Sequence, residues 1–224
     1  MNKQKIEKHL NSVVSSWIQS LSANKHLQSR VMSSYIVTGG CIPSLMLDET
    51  PNDYDIYFDD VDVAYDLADY YLSENYSVTL VRKDGSVKIE SKVPLRIQMD
   101  DAEHKQFRII RDYLPVMATQ NAITLDGDIQ LVLRFTGRPE QIHTNFDFVH
   151  ATNYYTRARG LVLDEQAILA TYNKELVYIG SKYPVCALLR VKKFLALGWK
   201  IQNSEIFKIA YDISCLDLSN PEIL

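Results

Sequence analysis

The chain is poor in cysteine, with only Cys41, Cys186 and Cys215 in 224 residues. Their number is odd, their spacing is wide and none forms a C-x-x-C pair. That argues against a disulfide framework or a structural zinc site, and for a reducing, cytoplasmic setting. Excess positive charge is also missing: 24 Lys and Arg stand against 28 Asp and Glu, a formal net charge of -4. A protein that coats nucleic acid through its global charge is not expected, although a local basic patch remains open. No run approaches the roughly 20 apolar residues of a membrane span. The opening "MNKQKIEKHLNSVV" lacks the apolar core of a signal peptide, so no membrane partner is expected. The five histidines, His9, His26, His104, His143 and His150, show no paired His-Asp spacing of the kind a metal-dependent phosphohydrolase uses. Repeats and low-complexity tracts are absent.

What is present is a folding composition, 46% hydrophobic and 23% charged. Ile6, Leu10, Val13, Val14, Trp17, Ile18 and Leu21 recur at helical spacing and predict an amphipathic helix over residues 4–22. "SYIVTGG" reads as a strand ending in a glycine turn, "IPSLML" as one or two helical turns, "DYDIYF" as a strand and "VDVAYDLADYYLSEN" as a helix. Strands are then expected over "YSVTLV", "SVKIES", "FRIIRDY", "NAITL" and "DIQLVLRF", with Asp126-Gly127 as a hairpin turn between the last two. "GRPEQIHTN" reads as a turn and short helix opened by Pro139, and "FDFVHA" as a further strand. From Leu163 the pattern turns helical through "DEQAILATY", "YPVCALLRVKKFLALGW" and "NSEIFKIAYDISCLD". The expected class is α+β: a mixed, antiparallel-containing sheet with flanking helices over residues 1–160, and a small helical domain over 161–224 packing on it.

Asp53 and Asp55 lie two residues apart in an otherwise apolar strand, so both side chains project from the same face while Tyr54 and Ile56 project from the other. Two neighbouring carboxylates repel, and either one takes up a proton or a cation joins them. A hard cation such as Mg²⁺ uses one or two carboxylates together with substrate phosphates. The alternative is that Asp53 merely caps the turn after Pro51-Asn52. Gly39-Gly40 precede the pair, where a glycine turn entering a helix lets backbone approach an anion. Asp147 in "NFDFVH" is a third acid in an apolar segment, a further metal ligand or a base for an attacking hydroxyl, or else a residue hydrogen-bonded to backbone. Cys41 beside the glycines reads as a small buried residue, with a functional thiol as the alternative.

Gly-Gly, about a dozen residues, Asp-x-Asp on a strand and a third acid on a later strand resemble the nucleotidyltransferase superfamily that includes DNA polymerase beta and the tRNA CCA-adding enzymes. The likeness is greatest to the poly(A) polymerase and CCA-adding branch, whose head segment reads Gly-Gly-x-Val-Arg-Asp-x-Leu-Leu-Gly. Here it reads Gly39-Gly40-Cys41-Ile42-Pro43-Ser44-Leu45-Met46-Leu47, with Pro43-Ser44 replacing Arg-Asp. A second likeness lies in "HATNYYT" followed by "YPVCALLRVKKFLALGWKI", where Pro184, Arg190, Lys193 and Phe194 keep the order of the branch's Glu-Asp-Pro-x-Arg-x-x-Arg-x-x-Arg-Phe, while Lys182-Tyr183 replace Glu-Asp. The resemblance spans residues 35–200, with specific matches near 39–60, 145–155 and 183–200. The "FDF…Y" segment and the "R-K-F…G-W" helix are also similar to those of a group of small phage-encoded nucleotidyltransferases.

The resemblance implies a nucleotidyltransferase fold and transfer of a nucleoside monophosphate from an NTP, such as ATP, to an acceptor hydroxyl with release of pyrophosphate. It implies Mg²⁺ or Mn²⁺ held by Asp53, Asp55 and Asp147, with these acids as the catalytic set. It implies the triphosphate on Gly39-Gly40, a phosphate contact from Ser44 and nucleotide contacts from Arg190 and Lys193. Arg190 and Lys193 sit one turn apart, so they also read as the solvated side of an amphipathic helix. Arg134 and Arg138 read as surface charges or triphosphate contacts. An RNA 3′ end is the expected acceptor, with "VRKDGSVKIESK" and "RVKKFLALGWK" as segments able to line a basic groove or simply to face solvent. A protein hydroxyl acceptor and a non-catalytic nucleotide- or RNA-binding module are the alternatives.

Overall fold

The computed structural model describes residues 2–73, 78–90 and 113–217. Helix α1 (Lys3–Ser20) begins where the Asn2 side chain accepts from the Lys5 amide, and it buries the apolar stripe Ile6, Leu10, Val14, Trp17 and Ile18. A second helix, α2 (Lys25–Ser34), was not foreseen in the sequence. Its stretch is mostly polar and buries little beyond Leu27 and Val31, and its start is set by Asn24 capping the Leu27 amide. Strand β1 (Tyr35–Thr38) follows, then the six-residue helix α3 (Cys41–Met46), strand β2 (Tyr54–Phe58) and helix α4 (Val61–Leu72), capped by Asp60.

Strands β3 (Thr79–Lys83) and β4 (Ser86–Glu90) form a separate antiparallel hairpin. Next come β5 (Pro115–Ala118), β6 (Ala122–Leu125) and β7 (Ile129–Thr136), with Gly127 and Asp128 at positive φ in the expected β6–β7 turn. The strand expected over "FRIIRDY" lies outside the described residues except for Tyr113, which is not in a strand.

Helix α5 (Pro139–His143) leads to a segment where the structure departs from expectation. "FDFVHA" does not form a strand. Phe148 makes a single antiparallel bridge to Tyr178, and Val149–Ala151 closes into a 3₁₀ turn. Its backbone groups are instead divided between two neighbours: the Ile179 amide donates to the Asp147 carbonyl at 2.9 Å, and the Gly39 amide to the Ala151 carbonyl at 3.1 Å. The hairpin of β8 (Tyr154–Thr156) and β9 (Gly160–Val162) completes the sheet, and the boundary drawn at residue 160 falls inside it.

The seven strands run in the order β5-β6-β7-β2-β1-β8-β9. β2 pairs parallel with β7 and the other neighbours are antiparallel, so the sheet is mixed and the fold is α+β. One face of the sheet joins α1, α2, α3 and α4 in the main core, which contains Trp17, Val37, Ile56, Phe58, Leu67 and Leu131. The other face carries Ile36, Tyr57, Val132 and Tyr154 against Ile142 of α5. The chain ends in α6 (Glu165–Tyr172), α7 (Pro184–Ala196) and α8 (Asn203–Ser214), with a two-residue parallel pair, β10 (Glu175–Leu176) and β11 (Lys200–Ile201). A second, smaller core built on Phe148, Leu176, Tyr178, Val191, Trp199 and Ile209 holds α7 and α8 together. No described helix is long and apolar enough to cross a membrane.

Candidate active site

Strand β2 lies between β1 and β7, so alternation decides which of its side chains reach a ligand. Tyr54, Ile56 and Phe58 enter the main core. Asp53, Asp55 and Tyr57 face the other way and line a cavity of about 330 Å³. The glycine turn forms its floor. Gly39 has φ +92, and a β-carbon there would stand 2.9 Å from Asp55 Oδ2, so any side chain here would strain the backbone and displace the Asp55 carboxylate. Gly40 has open space around its α-carbon. Opposite the acids, α7 supplies Arg190, Lys193 and Phe194 to the same cavity.

The electrostatics follow from this enclosure. Burial and then the neighbouring Asp53 push the Asp55 carboxyl up to about 6, against the opposing pull of Gln130 and Lys193. Gln130, on the parallel strand β7, donates to Asp55 Oδ1 at 2.7 Å. Asp147 is 6% exposed and carries an ion pair from Arg190. It therefore shares the cavity with Asp53 and Asp55 without forming the expected three-carboxylate cluster: among the described residues, no group of three His, Cys, Asp or Glu is arranged to hold a metal ion. Ser44 is not among the residues lining the cavity, and its hydroxyl donates to the Gly40 carbonyl at 3.1 Å, which departs from the expected phosphate contact. Cys41 is buried, and burial followed by the charges of Asp55 and Asp53 pushes its thiol far above the ordinary range, which favours the packed residue over the functional thiol.

Three residues of the cavity wall, Tyr57, Phe146 and His150, carry little signal in the sequence, as does Gln130, which bonds to Asp55. Tyr57 packs against Phe146 with ring centroids 5.9 Å apart. His150 sits in an aromatic box, 4.8 Å from Phe194 and 4.5 Å from Trp199. Its Nδ1 has no hydrogen-bond partner among the described residues, and burial lowers its pKa to about 4, so the ring is neutral. Gln130 alone left a trace, as a polar residue interrupting "IQLVLRF" at the position that faces Asp55.

A profile of the Gabija anti-defense 2 family matches residues 8–174. The chain belongs to that family. The Gabija anti-defense 2 segment holds the glycine turn and all three acids, and it ends before α7, which brings Arg190 and Lys193. No curated protein matches the chain. Among solved structures, it is similar to the Bacillus stearothermophilus CCA-adding enzyme in complex with CTP, at 12% identity and a TM-score of 0.48, over 86% of this chain and 41% of that one. It is also similar to the Thermotoga maritima CCA-adding enzyme complexed with tRNA, at 10% identity and a TM-score of 0.49, over 88% of this chain and 45% of that one. The chain thus spans less than half the length of these proteins.

Proposed function

We propose that this chain is a metal-dependent nucleotidyltransferase that moves a nucleoside monophosphate from an NTP to the 3′ hydroxyl of an RNA and releases pyrophosphate. One observation carries the reading: a carboxylate pair on one strand face and two cations on a facing helix share a single cavity floored by a glycine turn. The donor set fits a hard cation. The two acids offer oxygen ligands only, and they share one cavity on the same side of the strand, the chemistry a hard cation takes. When bound by Asp53 and Asp55, Mg²⁺ or Mn²⁺ supplies charge neutralisation and alignment of the phosphates.

The rest is done by the chain itself. Gly39-Gly40 let the backbone approach the triphosphate. Lys193 and Arg190 balance phosphate charge from the opposite wall. Asp147 acts as a positioning residue: its buried carboxylate fixes the Arg190 guanidinium. Gln130 orients the Asp55 carboxylate, which with Asp53 would hold the cation, by donating to its Oδ1. In the reaction, a bond forms between the acceptor oxygen and the α-phosphorus, the bond to pyrophosphate breaks, and the hydroxyl proton passes to water. Positioning and charge neutralisation supply most of the rate.

The test incubates the chain with Mg²⁺, each labelled NTP and total RNA. Label is expected on RNA and is expected to fall by about 10³-fold or more in Asp53→Asn and Asp55→Asn. Label on protein moves the acceptor to a side-chain hydroxyl. No label on either, with Mg²⁺ or Mn²⁺, overturns the reading.

A further inference from the structure

A second cavity, of about 410 Å³, adjoins the first: Phe135 and Asn145 line both. It is built where three separate segments meet. The β3–β4 hairpin contributes Lys83 and Lys88, the end of β7 contributes Arg134, and the segment entering α7 contributes Lys182 and Tyr183. The hairpin is tied to β7 by the Thr136 hydroxyl, which donates to the Gly85 carbonyl. Four cationic side chains face a single acid, Asp84, on a chain whose net charge is -4, so this composition is not a sample of the average surface.

The cations differ in state. Arg134 is held: it donates to the Tyr183 hydroxyl and lies over that ring at 4.4 Å. Lys83, Lys88 and Lys182 are exposed and have no ion-pair partner among the described residues. A row of unpaired lysines with an aromatic–arginine stack is what single-stranded nucleic acid requires, charges for the backbone and flat surfaces for bases. A lone triphosphate is served by Gly39-Gly40, Arg190 and Lys193 in the neighbouring cavity, whereas a strand has phosphates to fill both.

We propose that Lys83, Lys88, Lys182 and Arg134 form the backbone-binding subsite for the single-stranded RNA whose 3′ end enters the Asp53–Asp55 cavity. This rests on the reading of that cavity as the transfer site. The test measures binding of a short fluorescein-labelled single-stranded RNA by anisotropy across a salt series, with ATP and Mg²⁺ binding measured separately. In the triple variant Lys83→Ala/Lys88→Ala/Lys182→Ala, RNA affinity is expected to fall at least about tenfold at low salt. The slope of log affinity against log salt is expected to shrink by about 2, from roughly 0.7 per phosphate contact. ATP binding and thermal unfolding stay unchanged. Unaltered RNA affinity and slope in the variant, no RNA binding by the native chain, or an equal loss of ATP binding each overturns the proposal. Lysine-dependent RNA binding with no transfer of label overturns the transfer reading and leaves this subsite standing.

Discussion

The two walls of the Asp53–Asp55 cavity are built differently. The acidic wall rests on β2, between two paired strands and above a core that includes Trp17, Phe58 and Leu131. The cationic wall rests on α7, whose Leu188, Leu189 and Leu195 are exposed and whose buried contacts belong to the small second core. Groups that must stay close despite repulsion sit where backbone pairing holds them. The groups proposed to meet a substrate's charge sit on the element with less to hold it, and local stability scales with such contacts.

The largest effect should come from undermining the cationic wall. Trp199, 7% exposed, packs 5.1 Å from Phe194 and 4.5 Å from His150. Trp199→Ala is expected to cost about 3–5 kcal/mol, with amide exchange accelerating in α7 while β2 stays protected. Equal acceleration in β2 would show that the walls open as one unit. A middle-sized effect concerns acid. His150 is buried with a pKa near 4, against about 6.5 when unfolded. The unfolded chain therefore binds the extra proton first. Stability from the neutral ring is complete above pH 6.5 and is lost as pH falls towards 4, by at most about 3 kcal/mol. His150→Phe should flatten that decline in urea titrations. It should not abolish it, because His143, also lowered to about 4 by burial, remains. An unchanged slope would mean that the ring finds a partner. The smallest effect is at Ser44 on the glycine side. Ser44→Ala is expected to change stability by less than about 1 kcal/mol and ATP affinity by less than about twofold. A loss of tenfold or more in ATP affinity would return the hydroxyl to the phosphate.

The acidic wall was legible and the cationic wall only in part, for a physical reason. In "DYDIYF" the two faces of one strand have opposite chemistry, so period-2 spacing alone placed Asp53 and Asp55 together and Tyr54 and Ile56 behind them. The mixed sheet and the helices α1, α4, α7 and α8 follow from patterns of the same local kind. Pairing across the chain leaves no such pattern. Gln130 meets Asp55 through a parallel pair 75 residues apart, and Arg190 meets Asp147 from 43 residues away. Strands β8 and β9 are three residues each, too short to show alternation. "FDFVHA" shows it misleadingly, because its backbone is shared between Tyr178 and the glycine turn.

The spacing of one ion pair also sets an order of events at the ribosome. Asp147 is translated 43 residues ahead of Arg190. At about 5–20 residues per second, that separation is roughly 2–9 s of synthesis. Over that interval Asp147 has no Arg190 to pair with, so this ion pair closes only after α7 has been made.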